Sequence, residues 1–416
     1  MAPSSAVPVA TASPLYFQKG FGLKREVGPA LASSYRSAVV DQLKAFGYEA
    51  VAGDVRLRLA REFGFCYGVD RAVEYAYETR HRFPDRRIFL SGEIIHNSDV
   101  NARLRQMNVI VLPSDAMDPA LRYADVGSDD VMILPAFGVT AGEMAYLTAK
   151  GCVMVDTTCG SVLNVWKMVH RCARDGYTVV IHGKYKHEET RATASQALTH
   201  PGGRYLCVRD VEEADVLCAF LRGHETADSV RARFAAASSP GFDPDRDCER
   251  IGLANQTTML MTESLEIQER LRAAMLDRYG EASLKDHFRA FDTICSATQD
   301  RQDAVGAMLA AGGLDVMLVI GGANSSNTQA LTAMCAPRLP AFHIDAADAI
   351  EAGAIRHYAA GGGAPRLTEG WLPAGPATIG LTAGASTPDA IVGAVVERLL
   401  SMRGMTAADL REGAAV

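Results

Sequence analysis

The sequence contains no CxxC pair, so the usual spacings of zinc ribbons and ferredoxin-type clusters are missing from it. It has no uninterrupted apolar run of about 18 residues, the length a helix needs to cross a bilayer. No membrane partner is therefore expected. The stretch from Met1 to Pro14 has neither a basic n-region nor an apolar core, which excludes a secretory signal. It also lacks the arginines of an organelle transit peptide, and residues 1–14 are expected to form a disordered tail. Excess positive charge is absent too. A net charge of -7 argues against a general nucleic-acid binder and still leaves room for a local basic pocket that takes a small anion.

What is present is enough chain for two or three domains: 416 residues, 48% of them hydrophobic. Nine cysteines, an odd number without a secretion signal, favour a reducing compartment and reduced or metal-bound thiols. Cys152, Cys172, Cys207, Cys218, Cys248 and Cys335 read as small buried apolar residues. The other three share a setting, each ending a short apolar run and opening a helix-like segment. Cys66 lies in Gly64-Phe65-Cys66-Tyr67-Gly68, Cys159 in Asp156-Thr157-Thr158-Cys159-Gly160, and Cys295 in Thr293-Ile294-Cys295-Ser296-Ala297-Thr298. Strand-to-helix turns put side chains at the functional rim of an α/β domain. Three such thiols could converge on one metal or iron–sulfur centre with a position left open. They could equally be unrelated, or one nucleophile with two bystanders.

Strand-like runs at Arg87–Leu90, Val109–Leu112, Val131–Leu134, Thr178–His182, Val316–Ile320 and Ala377–Thr382 alternate with helix-like stretches. The latter include Val69–Arg80, Ala141–Lys150, Ser264–Tyr279, Arg301–Ala311 and Ala390–Met402. This alternation predicts α/β units with largely parallel sheets. The unequal cysteine intervals suggest a weak threefold repeat. The polar segment His224–Arg250 and the Gly/Pro-rich stretch Gly361–Pro376 are expected to be surface excursions.

Several runs end in loops suited to anions. Gly321-Gly322-Ala323-Asn324-Ser325-Ser326-Asn327 offers backbone N–H groups, hydroxyls and amides at a helix start, and Gly384-Ala385-Ser386-Thr387-Pro388 repeats the idea. Gln256-Thr257-Thr258 adds two hydroxyls. Each such turn alone also reads as a helix cap. His96 follows a strand, and His187 stands two residues before Glu189, which could deliver a proton in a shielded pocket. The bland alternative is a surface His-Glu-Glu cluster. A zinc hydrolase would need ligands at plausible zinc spacing, and none is evident.

The ordered set of motifs resembles the 4-hydroxy-3-methylbut-2-enyl diphosphate reductase family (IspH, also called LytB). The matching stretches are Gly64–Val73, Glu93-Ile94-Ile95-His96-Asn97, Asp156–Cys159, His187–Thr190, Asn255–Thr258, Thr293–Gln302, Asn324–Asn327 and Thr382–Asp389. Phe17–Gly22 resembles the N-terminal extension of the cyanobacterial and plant branch.

The resemblance implies three pseudo-threefold-related α/β domains, with small and largely parallel sheets, around a central iron–sulfur site. It divides the chain into an extension over 1–54, domains over 55–158, 159–292 and 293–402, and a tail over 403–416. Cys66, Cys159 and Cys295 would hold one [4Fe-4S] cluster whose fourth iron stays open to substrate. His96, His187, Ser325, Ser326, Asn327 and Ser386 would bind the allylic diphosphate, with Glu189 supplying protons and Thr257 beside the substrate hydroxyl. The implied reaction removes that hydroxyl reductively, giving isopentenyl and dimethylallyl diphosphate. Reduced ferredoxin or flavodoxin would donate electrons to a cytoplasmic monomer or homodimer; in a photosynthetic eukaryote the location would be the plastid stroma. A non-catalytic redox sensor using the same thiols is the alternative. Two departures stand out. Phe137 occupies the place where many bacterial members carry a phosphate-touching histidine, a contact that Lys184 or Lys186 could replace. Gly160 stands where many relatives have proline, with little effect expected.

Overall fold

The computed structural model describes residues 15–114, 118–351, 353–360 and 362–413. The stretch expected to be disordered, 1–14, lies outside them. Four sheets organise the described chain. The first runs Tyr16–Phe17, Val153–Asp156, Val131–Leu134, Ile88–Leu90, Val109–Val111, with every pair parallel. The second runs Phe288–Ala290, Ile251–Asn255, Thr178–His182, Tyr205–Val208, again all parallel. In the third, Ala341–Ile344, Val316–Ile320, Ala377–Ala383 and Val55–Leu59 are parallel. Glu49–Ala52 and Arg411–Glu412 extend it antiparallel. The expected α/β architecture of small, mostly parallel sheets is what the chain forms.

The central strands explain themselves. Val131–Leu134, Ile251–Asn255 and Val316–Ile320 are buried at every position. Continuous apolar runs are what a parallel sheet covered by helices on both faces requires.

Two expectations need correction. The strand Val55–Leu59, placed at the start of the first domain, pairs with Ala377–Ala383 in the third sheet. His224–Arg250 is not a surface excursion: it carries helices Ala227–Arg233 and Pro244–Asp247, and Val230, Phe234, Phe242 and Cys248 are buried in the second sheet's core. Its polar majority conceals these apolar anchors. The described part of Gly361–Pro376 is mostly exposed, as expected of a surface excursion, although its strand Arg366–Glu369 pairs with Ala354–His357 in a small antiparallel sheet and Trp371 packs edge-on against Phe342. The tail likewise contributes a strand, Arg411–Glu412, and buries Leu410.

The N-terminal extension ties two sheets together. Tyr16–Phe17 adds to the edge of the first sheet and Glu49–Ala52 joins the third. Between them lie helices Lys24–Tyr35 and Ala38–Ala45.

Candidate functional site

Each of the three large sheets delivers one of the singled-out cysteines past the carboxyl end of a strand. Cys66 follows Val55–Leu59 of the third sheet, Cys159 follows Val153–Asp156 of the first, and Cys295 follows Phe288–Ala290 of the second. All three are N-caps of the helices they precede, Tyr67–Arg82, Gly160–Arg174 and Ser296–Ala311. His187 and Ser325 cap two more, Glu188–Ala197 and Ser326–Cys335. Helix N-termini carry partial positive charge and unsatisfied N–H groups, so this convergence builds a region made for anions and thiolates.

One cavity, of about 80 Å³, is lined by all eleven side chains expected from the sequence. Cys66, Cys159 and Cys295 meet there with His96, His187, Glu189, Thr257, Ser325, Ser326, Asn327 and Ser386. The Gly68 backbone shows how close two of the thiols come. A Cβ at Gly68 would sit 2.5 Å from the Cys159 sulfur and 4.0 Å from that of Cys66. Gly322 is a second enforced approach: a Cβ there would collide with the His96 carbonyl oxygen.

The thiols suit a multi-iron centre. Val69 N–H reaches the Cys66 sulfur at 3.5 Å, and Thr298 N–H reaches that of Cys295 at 3.3 Å. Burial pushes the Cys66 thiol up, and pushes that of Cys295 to about 11. Thiolates here therefore need a cationic centre beside them. The three sulfurs are not gathered tightly enough to share a single ion, for which ligand atoms must fall within about 4 Å of one another. Among the described residues the group that brings its ligand atoms within 4.8 Å is His96, His187 and Glu188. A cluster that takes one thiolate on each of several irons spreads its ligands more widely, and thiols that share a cavity lining without closing on one point are compatible with it. The histidine group is a poor ion site: His187 Nδ1 accepts from Glu189 N–H at 3.2 Å, so its Nε2 carries the proton and has no lone pair to offer.

Gly68→Ala is a sharp test of this packing. In a helix, alanine is favoured over glycine by about 1 kcal/mol. The new methyl would nevertheless displace the Cys159 sulfur. The variant is expected to fold, as circular dichroism will show, and to lose most of its bound iron by metal analysis.

Glu189 is buried, and its Oε1 accepts the Thr257 N–H at 2.6 Å. Burial raises its carboxyl to about 7 despite that bond. Asn327 Oδ1 accepts from Ala385 N–H at 2.9 Å, while its buried Nδ2 has no protein partner. The free donor is available to an acceptor in the cavity. His96 Nδ1 lies 3.0 Å from Glu93 Oε2, and Ser386 Oγ donates to the His96 carbonyl at 3.1 Å. Phe137 lines the cavity with its ring stacked on His96, centroids 4.3 Å apart. The two lysines offered as its replacement are not among the residues that line this cavity: the Lys184 amine donates to Gln329 Oε1, and Lys186 stands over the Tyr185 ring. Gly160 opens its helix, and a Cβ added there would meet nothing within 4 Å, in keeping with its expected neutrality.

Several supporting residues escaped the sequence reading. Gln256 is a hub: its Oε1 accepts from Lys184 N–H and Thr190 Oγ1, and its Nε2 donates to Thr258 Oγ1 and Ser326 Oγ. Arg301, on the helix that Cys295 opens, donates to the Gly64 carbonyl at 2.6 Å and so links two cysteine loops. Both stood in motifs already quoted and were assigned no role. Tyr16 of the extension donates to Asp156 Oδ2 at 2.5 Å, and Asp156 Oδ1 accepts from Thr158 N–H at 2.9 Å, next to Cys159. No local signal connects residues so far apart in the chain.

A family model described as LytB protein matches residues 57–400. The 4-hydroxy-3-methylbut-2-enyl diphosphate reductase of a Synechococcus species is 48% identical over 399 residues, covering 95% of this chain and 96% of that protein. The reductase of the same name from Trichormus variabilis is 45% identical over 394 residues, covering 94% and 96%. A solved structure, the E-1-hydroxy-2-methyl-but-2-enyl-4-diphosphate reductase from Plasmodium falciparum, matches with a TM-score of 0.61 at 22% identity. It covers 83% of this chain and 87% of that one, a likeness of fold. With the family match running across all three large sheets and the curated relatives aligned almost end to end, the chain belongs to the LytB family.

Proposed function

We propose that the protein reduces (E)-4-hydroxy-3-methylbut-2-enyl diphosphate to isopentenyl and dimethylallyl diphosphate, with one [4Fe-4S] cluster held by Cys66, Cys159 and Cys295. The observation that carries this reading is the single cavity in which three thiols, a buried carboxyl and an anion-binding rim meet. When bound, the cluster supplies electrons and a Lewis-acidic iron for loss of the substrate's hydroxyl.

The chain's own residues do the rest. Ser325, Ser326, Asn327 and Ser386, at the starts of two helices, hold the diphosphate together with His96 and His187. The non-reacting diphosphate thereby positions the carbon that reacts. Glu189, neutral below about pH 7, gives its proton inside a pocket that excludes bulk water. Thr257 holds the Glu189 carboxylate through its N–H and places its hydroxyl on the cavity wall. A redox sensor has no use for that buried acid or for the hydroxyl loops.

Electrons would come from a reduced ferredoxin or flavodoxin. Nine free thiols suit a reducing compartment such as the cytoplasm. No described helix is long and apolar enough to cross a membrane.

The test is an anaerobic assay of the cluster-loaded protein with the allylic diphosphate and a reduced one-electron donor. Both five-carbon products are expected. A cluster that accepts electrons yet leaves the substrate unchanged would refute the assignment.

A further inference from the structure

The hydrogen-bond chain at the diphosphate end of the cavity has a consequence for how an anion enters. His187 Nδ1 accepts the Glu189 N–H, so the neutral ring keeps its proton on Nε2. That Nε2 lies 3.1 Å from His96 Nε2. The His187 N–H therefore points at the His96 lone pair. His96 must then carry its proton on Nδ1, which faces Glu93 Oε2 at 3.0 Å. In this closed chain no imidazole N–H is left for a ligand.

A fully ionised diphosphate has only acceptors to offer at this rim. To meet both Nε2 atoms it must find two N–H groups where the free protein holds one. His96 could present the second N–H by moving its proton from Nδ1 to Nε2, but Glu93 Oε2 would then face a bare lone pair at 3.0 Å; one added proton supplies the N–H and keeps that bond, and the surroundings decide where it goes. Protonating His187 would break its cap on Glu189 N–H, and burial already holds its pKa well below the usual histidine value. His96 costs no such bond, because its Nδ1–H already faces a carboxylate. Phe137 lies flat over the His96 ring, rings 24° from parallel, with its π face toward a would-be cation.

We propose that the diphosphate binds together with one proton that lands on His96, and that Glu93 and Phe137 are the positioning residues that hold the resulting imidazolium against the ligand. This rests on the diphosphate reading of the site given above. Phe137 thus supports the charge of its neighbour where it makes no phosphate contact of its own. The charged groups facing this pair are few. Glu93 comes from its own loop, and Glu188 Oε2 lies 3.6 Å from His96 Nε2. Glu189 interacts with His96 electrostatically, and Lys184 with His187. Among the described residues, the third sheet brings the uncharged Ser386 and Gly322 against His96.

The experiment is calorimetric titration of inorganic pyrophosphate into the cluster-loaded enzyme, in buffers of different ionisation enthalpy at mildly alkaline pH. Wild type is compared with Glu93→Gln, which keeps an acceptor oxygen for Nδ1 and removes the charge. The ligand's own ionisation is common to both proteins and cancels in the difference. Wild type is expected to take up about one proton more than the variant, and the variant to bind about tenfold more weakly. Phe137→Leu, which keeps the bulk and loses the π face, should weaken binding in the same direction by a smaller factor. Retained cluster absorption and an unchanged melting midpoint in Glu93→Gln will separate this role from a structural one. Equal proton uptake and equal affinity in the two proteins would overturn the proposal and leave the diphosphate site standing. Failure of wild type to bind pyrophosphate at all would overturn both.

Discussion

Replacing any one of Cys66, Cys159 or Cys295 by serine is expected to remove bound iron and reductase activity together. The reason lies in chemistry and place. A thiolate is the preferred soft ligand of an iron–sulfur cluster, and a serine hydroxyl scarcely ionises near neutrality. Each cysteine comes from a different sheet, so no neighbouring thiol can stand in. The other six cysteines are buried elsewhere in the cores. The fold should survive, because serine is a strong N-cap and can accept the N–H groups that Cys66 and Cys295 now accept. The loss of activity should exceed the ~10–100-fold that follows from removing a metal site's supporting hydrogen bonds. Iron analysis, the broad absorption near ~400 nm expected of such clusters, and anaerobic turnover are the measurements. Full iron and full turnover in any one variant would remove that residue from the ligand set.

Glu189→Gln should leave iron content and pyrophosphate affinity intact and reduce turnover by about 10²–10⁴-fold, the usual contribution of a positioned proton donor. Glutamine matches the shape and keeps an oxygen for the Thr257 N–H, so what changes is the proton. The pH dependence has a definite sign. Burial raises this carboxyl from 4.5 to about 7, and the protonated form is the donor. Turnover governed by Glu189 is therefore flat below about pH 7 and falls about tenfold per unit above it. Stability follows the same direction. A raised carboxyl favours the folded state fully below the ordinary value of 4.5, and that advantage is lost as pH rises through about 7. In Glu189→Gln the melting midpoint should change less across this window. A variant with wild-type turnover and an unaltered pH profile would remove Glu189 from proton delivery.

The cysteine positions were legible in the sequence because each stands where a strand gives way to a helix, and the fold makes all three into caps. The fully buried strands were legible for a similar reason, since a parallel sheet covered on both faces writes itself as unbroken apolar residues. Partner choice was not. Val55–Leu59 alternates buried and half-buried positions, which says one face is covered and nothing about which sheet covers it. His224–Arg250 was hidden by composition, because a few anchors such as Phe234 suffice to pin a charged segment to a core. The bond from the Lys184 amine to Gln329, on the helix Ser326–Cys335, likewise had no local signal. Links such as Tyr16 to Asp156 join residues whose proximity arises only after the sheets assemble.

The placement of Val55–Leu59 also sets a schedule. During synthesis this segment emerges early, yet its neighbour Ala377–Ala383 leaves the ribosome near the end. The first and second sheets draw every strand from residues 16–290 and can close while translation continues. The third cannot, so Cys66 waits for more than three hundred later residues before its loop is fixed. Metallation of a nascent chain would find two anchored sulfurs and one adrift. A cluster that needs all three sulfurs would thus be loaded only once Ala377–Ala383 has been made and paired.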